Sequence, residues 1–250
     1  MSTTVVVPAR GGSKSIPRKN IRPMGGLPLI AYAIQAGLES SLVDRVIVST
    51  DDEEIASVAR RFGAEVPFIR PANLAGDMVT DFPVFEHAVH WLELADHDRP
   101  DLIVQLRPTS PFRPKGLVDK AISYLKERPD ADSVRAVTPS GENPFKMWQI
   151  KDGTLHTLIK TDFNEPYNMP RQKLPATYWQ TGHVEVIRYR TIIEKRSMTG
   201  DVIVPVEVPH EYAIDLDNLQ QWAFAEYVLK NGGLDLVRPT QPKKQYSSSF

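Results

Sequence analysis

The residues best able to do chemistry in this 250-residue chain gather in two stretches far apart in sequence. Near the start, Arg10-Gly11-Gly12-Ser13-Lys14-Ser15-Ile16-Pro17-Arg18-Lys19-Asn20-Ile21-Arg22 sets five cations around two glycines, and the first acidic residue of the chain is Glu39. Glycines let backbone N–H groups come close to a ligand, so such a loop suits a polyphosphate. Its other reading is a solvated basic loop. The spacing matches neither G-x-x-x-x-G-K-[ST] nor G-x-G-x-x-G, which excludes the ATPase loop and the dinucleotide fingerprint. Near the end, Asp215 and Asp217 are one residue apart, so in an extended segment both carboxylates point to one side. Either they cradle one hard divalent ion such as Mg²⁺, which takes one or two carboxylates together with phosphate oxygens and water, or Asp217 caps the helix that starts near Asn218.

Other titratable clusters read as structural. His87 and His90 share a helix face but have no third ligand at a fitting spacing. His183 and Glu185 share a strand face, where a general base is conceivable and a hydrogen-bonded structural pair is the simpler reading. Asp51-Asp52 reads as the cap of the helix leading to Ile55. Trp91, Trp148, Trp179 and Trp222 fit core or interface packing rather than base stacking.

The elements that must position these residues follow a repeating rhythm. Thr4-Val5-Val6-Val7 reads as a strand buried on both faces, and Leu29, Tyr32, Ala33 and Ala36 have the spacing of a helix face. Arg45-Val46-Ile47-Val48-Ser49 is the next strand. Helical spacing recurs at Ile55, Val58, Ala59 and Phe62, at Phe85, Ala88, Val89 and Leu92, and at Val118, Ala121, Ile122 and Leu125. The intervening strands are Val66-Pro67-Phe68-Ile69, Leu102 to Leu106 and Ser133 to Val137. Alternation of this kind predicts a mostly parallel α/β sheet with helices on both sides, and ligands in such sheets sit beyond the carboxyl ends of the strands. After about Pro139 the rhythm breaks into a β-rich or irregular insertion over residues 140–190. A returning strand follows at Asp201 to Val206, and then a helix from Asn218 to Asn231 closed by Gly232-Gly233. The expected organisation is a single domain over residues 1–239 with a flexible tail over residues 240–250.

Composition narrows the function classes. Thirty Lys and Arg against 31 Asp and Glu leave a net charge of -1, so bulk charge does not hold this chain to nucleic acid or to a membrane. With no Cys, disulfides, thiolate metal sites and cysteine nucleophiles are excluded, and a reducing cytoplasm is the expected compartment. No apolar run reaches the roughly 18 residues of a membrane span, and the first residues do not read as a signal peptide. The 21 Pro form no block, so they read as punctuation of ordered loops.

Val6-Val7-Pro8-Ala9-Arg10-Gly11-Gly12-Ser13-Lys14 followed by Pro17-Arg18-Lys19-Asn20-Ile21 resembles the nucleotide-binding signature of the acylneuraminate cytidylyltransferases, the makers of CMP-sialic acid and related CMP-nonulosonates. Val48-Ser49-Thr50-Asp51, Arg70-Pro71-Ala72-Asn73-Leu74-Ala75, Pro108-Thr109-Ser110-Pro111-Phe112-Arg113, Pro170-Arg171-Gln172 and Ile214-Asp215-Leu216-Asp217 look like further blocks of that family, in family order, from about Val5 to Leu229. The resemblance implies a Rossmann-like three-layer α/β/α nucleotidyltransferase fold with a β-rich dimerisation insertion. It also implies Mg²⁺-dependent transfer of CMP from CTP to the anomeric hydroxyl of a 2-keto-3-deoxy sugar acid, with release of pyrophosphate. On that reading Arg10 braces the phosphates and spreads the charge that develops at the α-phosphorus, while Lys14 and Lys19 neutralise pyrophosphate. Gly11, Gly12, Ser13, Asn20 and Arg70 hold the nucleotide, and Asp215 and Asp217 hold the metal.

The acceptor side of the resemblance assigns Lys146, Arg171 and Gln172 to the sugar acid and gives the insertion to a homodimer that completes the partner's site. Two departures stand out: Arg107 where sialic-acid members commonly have Gln, and Thr181-Gly182-His183 where they often read Asn-Gly. Arg107 and His183 thereby join the acceptor candidates, and the extra charge of Arg107 suits an acid other than sialic acid. The alternatives are a cytidylyltransferase for another acidic acceptor, such as a different keto-sugar acid or a phosphonate, and a metal-dependent glycosyltransferase that shares the Asp-x-Asp pattern.

Overall fold

The computed structural model describes residues 1–242, so of the tail expected over residues 240–250 all but the first three lie outside the described residues. The chain builds a six-stranded sheet from β1 (Thr3–Pro8), β4 (Arg45–Ser49), β5 (Leu102–Gln105), β6 (Ser133–Pro139), β9 (Tyr178–Arg188) and β10 (Ile203–Glu207). Their order across the sheet is β10-β6-β9-β5-β1-β4. Strands β4, β1 and β5 run parallel, and β10 is parallel to β6. Strand β9 is antiparallel to both of its neighbours, β5 and β6.

Side chains alternate across this sheet and divide the core in two. Val5, Val7, Val46, Val48 and Val104 face one side, where they meet α1 (Leu29–Leu38), α2 (Glu53–Arg61) and α4 (Leu117–Glu127). Val6, Ile47, Ile103 and Ile187 face the other, against α3 (Asp81–Ala95) and the short α5 (Tyr189–Ile193). The result is the expected three-layer α/β/α fold. The chain leaves β1 toward β4 and leaves β5 toward β6, in opposite directions, so a crevice opens beyond the carboxyl ends of the neighbouring strands β1 and β5.

A third apolar cluster matters most for function. Helix α6 (Leu219–Asn231) places Trp222 and Leu229 against Leu29 and Tyr32 of α1, and Ile16 and Leu216 are buried in the same cluster. The glycine loop and the Asp-x-Asp segment, 200 positions apart in sequence, therefore each insert one apolar residue into a single nucleus. A minor ribbon, β2 (Pro23–Met24) with β3 (Leu27–Pro28), closes the turn before α1.

Two expectations are corrected. Val66-Pro67-Phe68-Ile69 forms no strand, only single bridges from Glu65 to Ile47 and from Ile69 to Thr50, because Pro67 has no N–H to donate to a continuous ladder with β4. The segment Gly182 to Ile187, read as part of the insertion, belongs to β9 in the middle of the main sheet. The excursion from the core is thus residues 140–177. It holds the hairpin of β7 (Trp148–Lys151) and β8 (Thr154–Thr157), whose Asp152-Gly153 turn has φ of 48° and 77°, the left-handed pair that a tight hairpin needs. No helix among the described residues is long and apolar enough to cross a membrane.

Candidate active site

A cavity of about 530 Å³ lies in the crevice beyond β1 and β5 and takes its lining from both distant stretches: Arg10, Ser13, Lys14 and Lys19 of the glycine loop, and Asp217. The loop is tied down at several points. Ile16 is fully buried, the Asn20 side chain donates to the Arg10 carbonyl at 2.9 Å, and the Gly11 amide donates to Asp51 Oδ1 at 3.0 Å. A Cβ at Gly11 would stand 2.7 Å from Asp52 Oδ2, so this close approach requires glycine. Around Gly12 there is open space. Asp52 caps α2, accepting from the Ile55 amide at 2.9 Å, and the Arg18 guanidinium beside it holds its carboxyl below the usual range. Arg18 is thereby used in structure, while Arg10, Lys14 and Lys19 remain at the cavity.

The Asp215-Leu216-Asp217 segment is a strap pinned at its centre. Leu216 is fully buried, its amide donates to the Thr109 carbonyl at 3.2 Å, and its carbonyl accepts from Lys19 Nζ at 2.7 Å. With the middle side chain turned into the core, the flanking aspartates turn away from it. Partial removal from water, with the like charge of Asp217 added, raises the pKa of the Asp215 carboxyl. Burial lowers that of the Lys19 amine, opposed by the attraction of Asp217 and Asp215. The capping role left open for Asp217 falls to Asn218, whose side chain accepts from the Gln221 amide at 2.9 Å in a capping box.

The opposite walls come from the segments after β4 and β5. Arg70 is buried and spends its guanidinium on the Ser49 hydroxyl and carbonyl and on the Leu74 carbonyl, so it braces the β4 end while it lines the cavity. Arg107 donates to Asp81 and, at 3.3 Å, to Glu185. Glu185 also takes Arg135 at 2.6 Å. Arg107 therefore stands at the cavity with its charge already matched. A Cβ at Gly182 would stand 2.5 Å from Ser110 Oγ and 2.9 Å from Arg107 Cδ, which gives the glycine of Thr181-Gly182-His183 a steric reason: β9 passes tightly under the loop that carries Arg107.

The remaining acceptor candidates lie elsewhere in this chain. Lys146, Arg171 and Gln172 are on the 140–177 excursion, and none of them lines the cavity; the Arg171 guanidinium bonds the Ser140 carbonyl. His183 is 1% exposed, its Nε2 lies 3.0 Å from the Tyr212 carbonyl, and burial pushes its pKa down to about 3, so the ring is neutral near pH 7. It is not paired with Glu185, which is engaged by the two arginines. His87 packs edge-on against Phe68 at 4.8 Å, and among the described residues no group of three or more acidic or imidazole side chains is placed to hold a metal. Sequence reasoning missed Asp77 and Asp81, two acids at the cavity. No motif marks them; only the tertiary pairing of Asp77 with Arg10 and Lys14, and of Asp81 with Arg107, identifies them.

Comparison with known proteins agrees with this geometry. A pseudaminic acid cytidylyltransferase of Campylobacter jejuni is 40% identical over 231 residues, covering 92% of this chain and 97% of that protein. A CMP-N,N'-diacetyllegionaminic acid synthase of Legionella pneumophila is 32% identical over 234 residues, covering 92% and 97%. Among solved structures, a CMP:2-keto-3-deoxy-manno-octonic acid synthetase complexed with CTP superposes with a TM-score of 0.69 over 93% of this chain and 100% of that one; at 16% identity it supports the fold. The cytidylyltransferase family profile matches residues 4–226, from the first strand into the last helix. With the glycine loop and the acidic strap both inside that span and both at one cavity, this chain belongs to the cytidylyltransferase family, enzymes of the nucleotidyltransferase class.

Proposed function

We propose that the protein transfers CMP from CTP to the anomeric hydroxyl of a 2-keto-3-deoxy sugar acid of the nonulosonate type, releasing pyrophosphate. The observation that carries this reading is the convergence of Arg10, Lys14 and Lys19 with Asp217 on one cavity. The 40% identical pseudaminic acid relative supports the choice of acceptor. In the reaction the anomeric oxygen bonds to the α-phosphorus, the bond from that phosphorus to the oxygen bridging to the β-phosphate breaks, and the hydroxyl proton passes to water. Catalysis then rests on positioning and on charge stabilisation. Arg10 offers a forked donor to the phosphate oxygens, Lys14 and Lys19 offset the charge on the departing pyrophosphate, and Ser13 with Asn20 shapes the loop around them.

Mg²⁺ fits the acidic strap. Asp215 and Asp217 supply two hard oxygen donors whose mutual repulsion a cation relieves; among the described residues no third acid is grouped with them, and Mg²⁺ held by two carboxylates completes its shell with phosphate oxygens and water. When bound, the ion would draw charge from the phosphates and make the acceptor hydroxyl more acidic. Lys19, bonded to the strap through the Leu216 carbonyl, sits between the two charge systems and holds them in register.

The excursion supports a homodimer. It exposes Trp148, Ile150, Leu155 and Phe163, and the adjoining start of β9 exposes Tyr178 and Trp179, the last at 64%; exposed large apolar side chains concentrated in one stretch of a chain suit an interface. A second copy covering it would carry Lys146, Arg171 and Gln172 toward the neighbouring cavity, where Arg107 is already matched by Asp81 and Glu185.

The test is pyrophosphate release from CTP and Mg²⁺ with a panel of acceptors: pseudaminic, legionaminic and sialic acids, an eight-carbon keto-deoxy acid and a phosphonate. Release with the nine-carbon acids is expected. Release only with the phosphonate or the shorter acid would replace the acceptor assignment, and no release with any acid would overturn the reaction.

A further inference from the structure

Asp77 is the feature of the cavity that the reaction above does not use. It lies between the short turn Ala72–Leu74 and α3, on the wall facing the glycine loop. One of its oxygens is 3.2 Å from Arg10 Nη2, the other pairs with Lys14 Nζ, and the preceding Gly76 carbonyl accepts from Arg10 Nη1 at 3.0 Å. All four residues line the cavity. The other cations there are engaged differently: Lys19 with the strap, Arg70 with main-chain carbonyls and a hydroxyl, Arg107 with two acids. Of the described cations that line the cavity, Arg10 and Lys14 converge on one carboxylate, which bridges them as two oxygens of a phosphate would. The segment that carries it lies at the surface, where the next residue, Met78, is 93% exposed.

We propose that Asp77 is a competing anion built into the site: it occupies Arg10 and Lys14 while the cavity is empty, is displaced by the triphosphate, and retakes both cations as pyrophosphate leaves. The inference rests on the nucleotide reading of the cavity and adds a device for release. Two cations arranged for a triphosphate also hold the pyrophosphate product, and an internal carboxylate lowers the affinity for both by the same factor. The pairs are partly exposed, so each contributes modestly, and CTP, with more charge and more oxygens, wins the exchange.

The test is calorimetric titration of CTP and, separately, of pyrophosphate, each with Mg²⁺, into wild-type protein, Asp77→Asn, Lys14→Ala and the double variant, with circular dichroism confirming that each is folded. Asp77→Asn is expected to bind both ligands about three- to tenfold more tightly, as loss of weak exposed ion pairs allows. Pyrophosphate should become a correspondingly stronger product inhibitor, and the gain should shrink in the Lys14→Ala background. Unchanged or weaker binding by Asp77→Asn would mean that the carboxylate orients the cations or serves the metal, and would overturn the proposal. So would a gain undiminished without Lys14, because the effect would then be through-space charge alone. Wild-type protein that binds neither ligand would overturn the nucleotide reading together with this one, whereas CTP binding with an unaltered Asp77→Asn affinity would overturn this one only.

Discussion

At the scale of single residues, the cavity separates charges that do chemistry from charges that hold structure. Arg18, Arg70 and Arg107 belong to the basic or motif positions that a sequence reading favours, yet each guanidinium is occupied by Asp52, by main-chain carbonyls or by Asp81 and Glu185. Arg10 is paired as well, with Asp77 and the Gly76 carbonyl, but its partner is a half-exposed carboxylate on the cavity wall, whereas Arg18, Arg70 and Arg107 are bound into a helix cap, main-chain carbonyls and a buried glutamate, and bonds of that kind must break before a ligand is met. The aspartates divide similarly: Asp52 caps a helix, whereas Asp217 lines the cavity. Asp217→Asn, alone or with Asp215→Asn, is therefore expected to lower kcat by two or more orders of magnitude and to raise the Mg²⁺ concentration needed for half activity, with thermal stability near wild type. The measurement is pyrophosphate release across an Mg²⁺ titration, and an unchanged midpoint would place the ion away from the strap.

At the scale of elements, the active arrangement depends on short loops pinned by single apolar side chains rather than on the helices themselves. Leu216 anchors the strap and Ile16 the glycine loop, both within the cluster formed by α6 and α1. Leu216→Ala removes a fully buried side chain, which costs about 2–5 kcal/mol. It should lower the melting temperature and, with the strap loosened, raise the KM for CTP while leaving the acceptor KM nearly unchanged. Calorimetry with initial-rate kinetics tests this, and equal effects on both substrates would show a general loosening instead. Most elements here are legible from periodicity, since the strands alternating with helices through β6 follow buried β-branched runs and regular apolar spacing. Strand β9 was not legible as a core strand because His183, Glu185 and Arg188 interrupt its pattern, and each is buried only because the fold provides a partner: the Tyr212 carbonyl, two arginines, and the carbonyls of Leu125 in the last turn of α4 and of Ala131 in the loop after it.

At the scale of the whole molecule, the excursion over residues 140–177 and the adjoining start of β9 carry the exposed aromatic surface proposed as the interface. Trp222 is buried in the core and Trp91 packs 5.5 Å from Phe68, but Trp148, Ile150 and Leu155 of the hairpin and Trp179 at the start of β9 are exposed. Replacing Ile150 and Trp179 together by Glu should convert a dimer to a folded monomer with little activity, read by light scattering and by pyrophosphate release. A wild-type protein that runs at the mass of one chain with full activity would remove the partner from the site.

By itself the sequence determined the α/β class, the glycine loop and the acidic pair, because these depend on local spacing: alternation in strands, apolar periodicity in helices, glycine where backbone must come close, and two acids on one side of a strap; the family was legible through the resemblance of whole motif blocks in order. The tertiary structure decided which charges remain available. Charge pairing depends on distance in space, and Asp77, Asp81 and Glu185 reach Arg10, Lys14 and Arg107 across the sheet from positions that no spacing rule connects. For the same reason the near-zero net charge says little about the ligand, since folding gathers the cations of one end and the acids of the other around a single cavity.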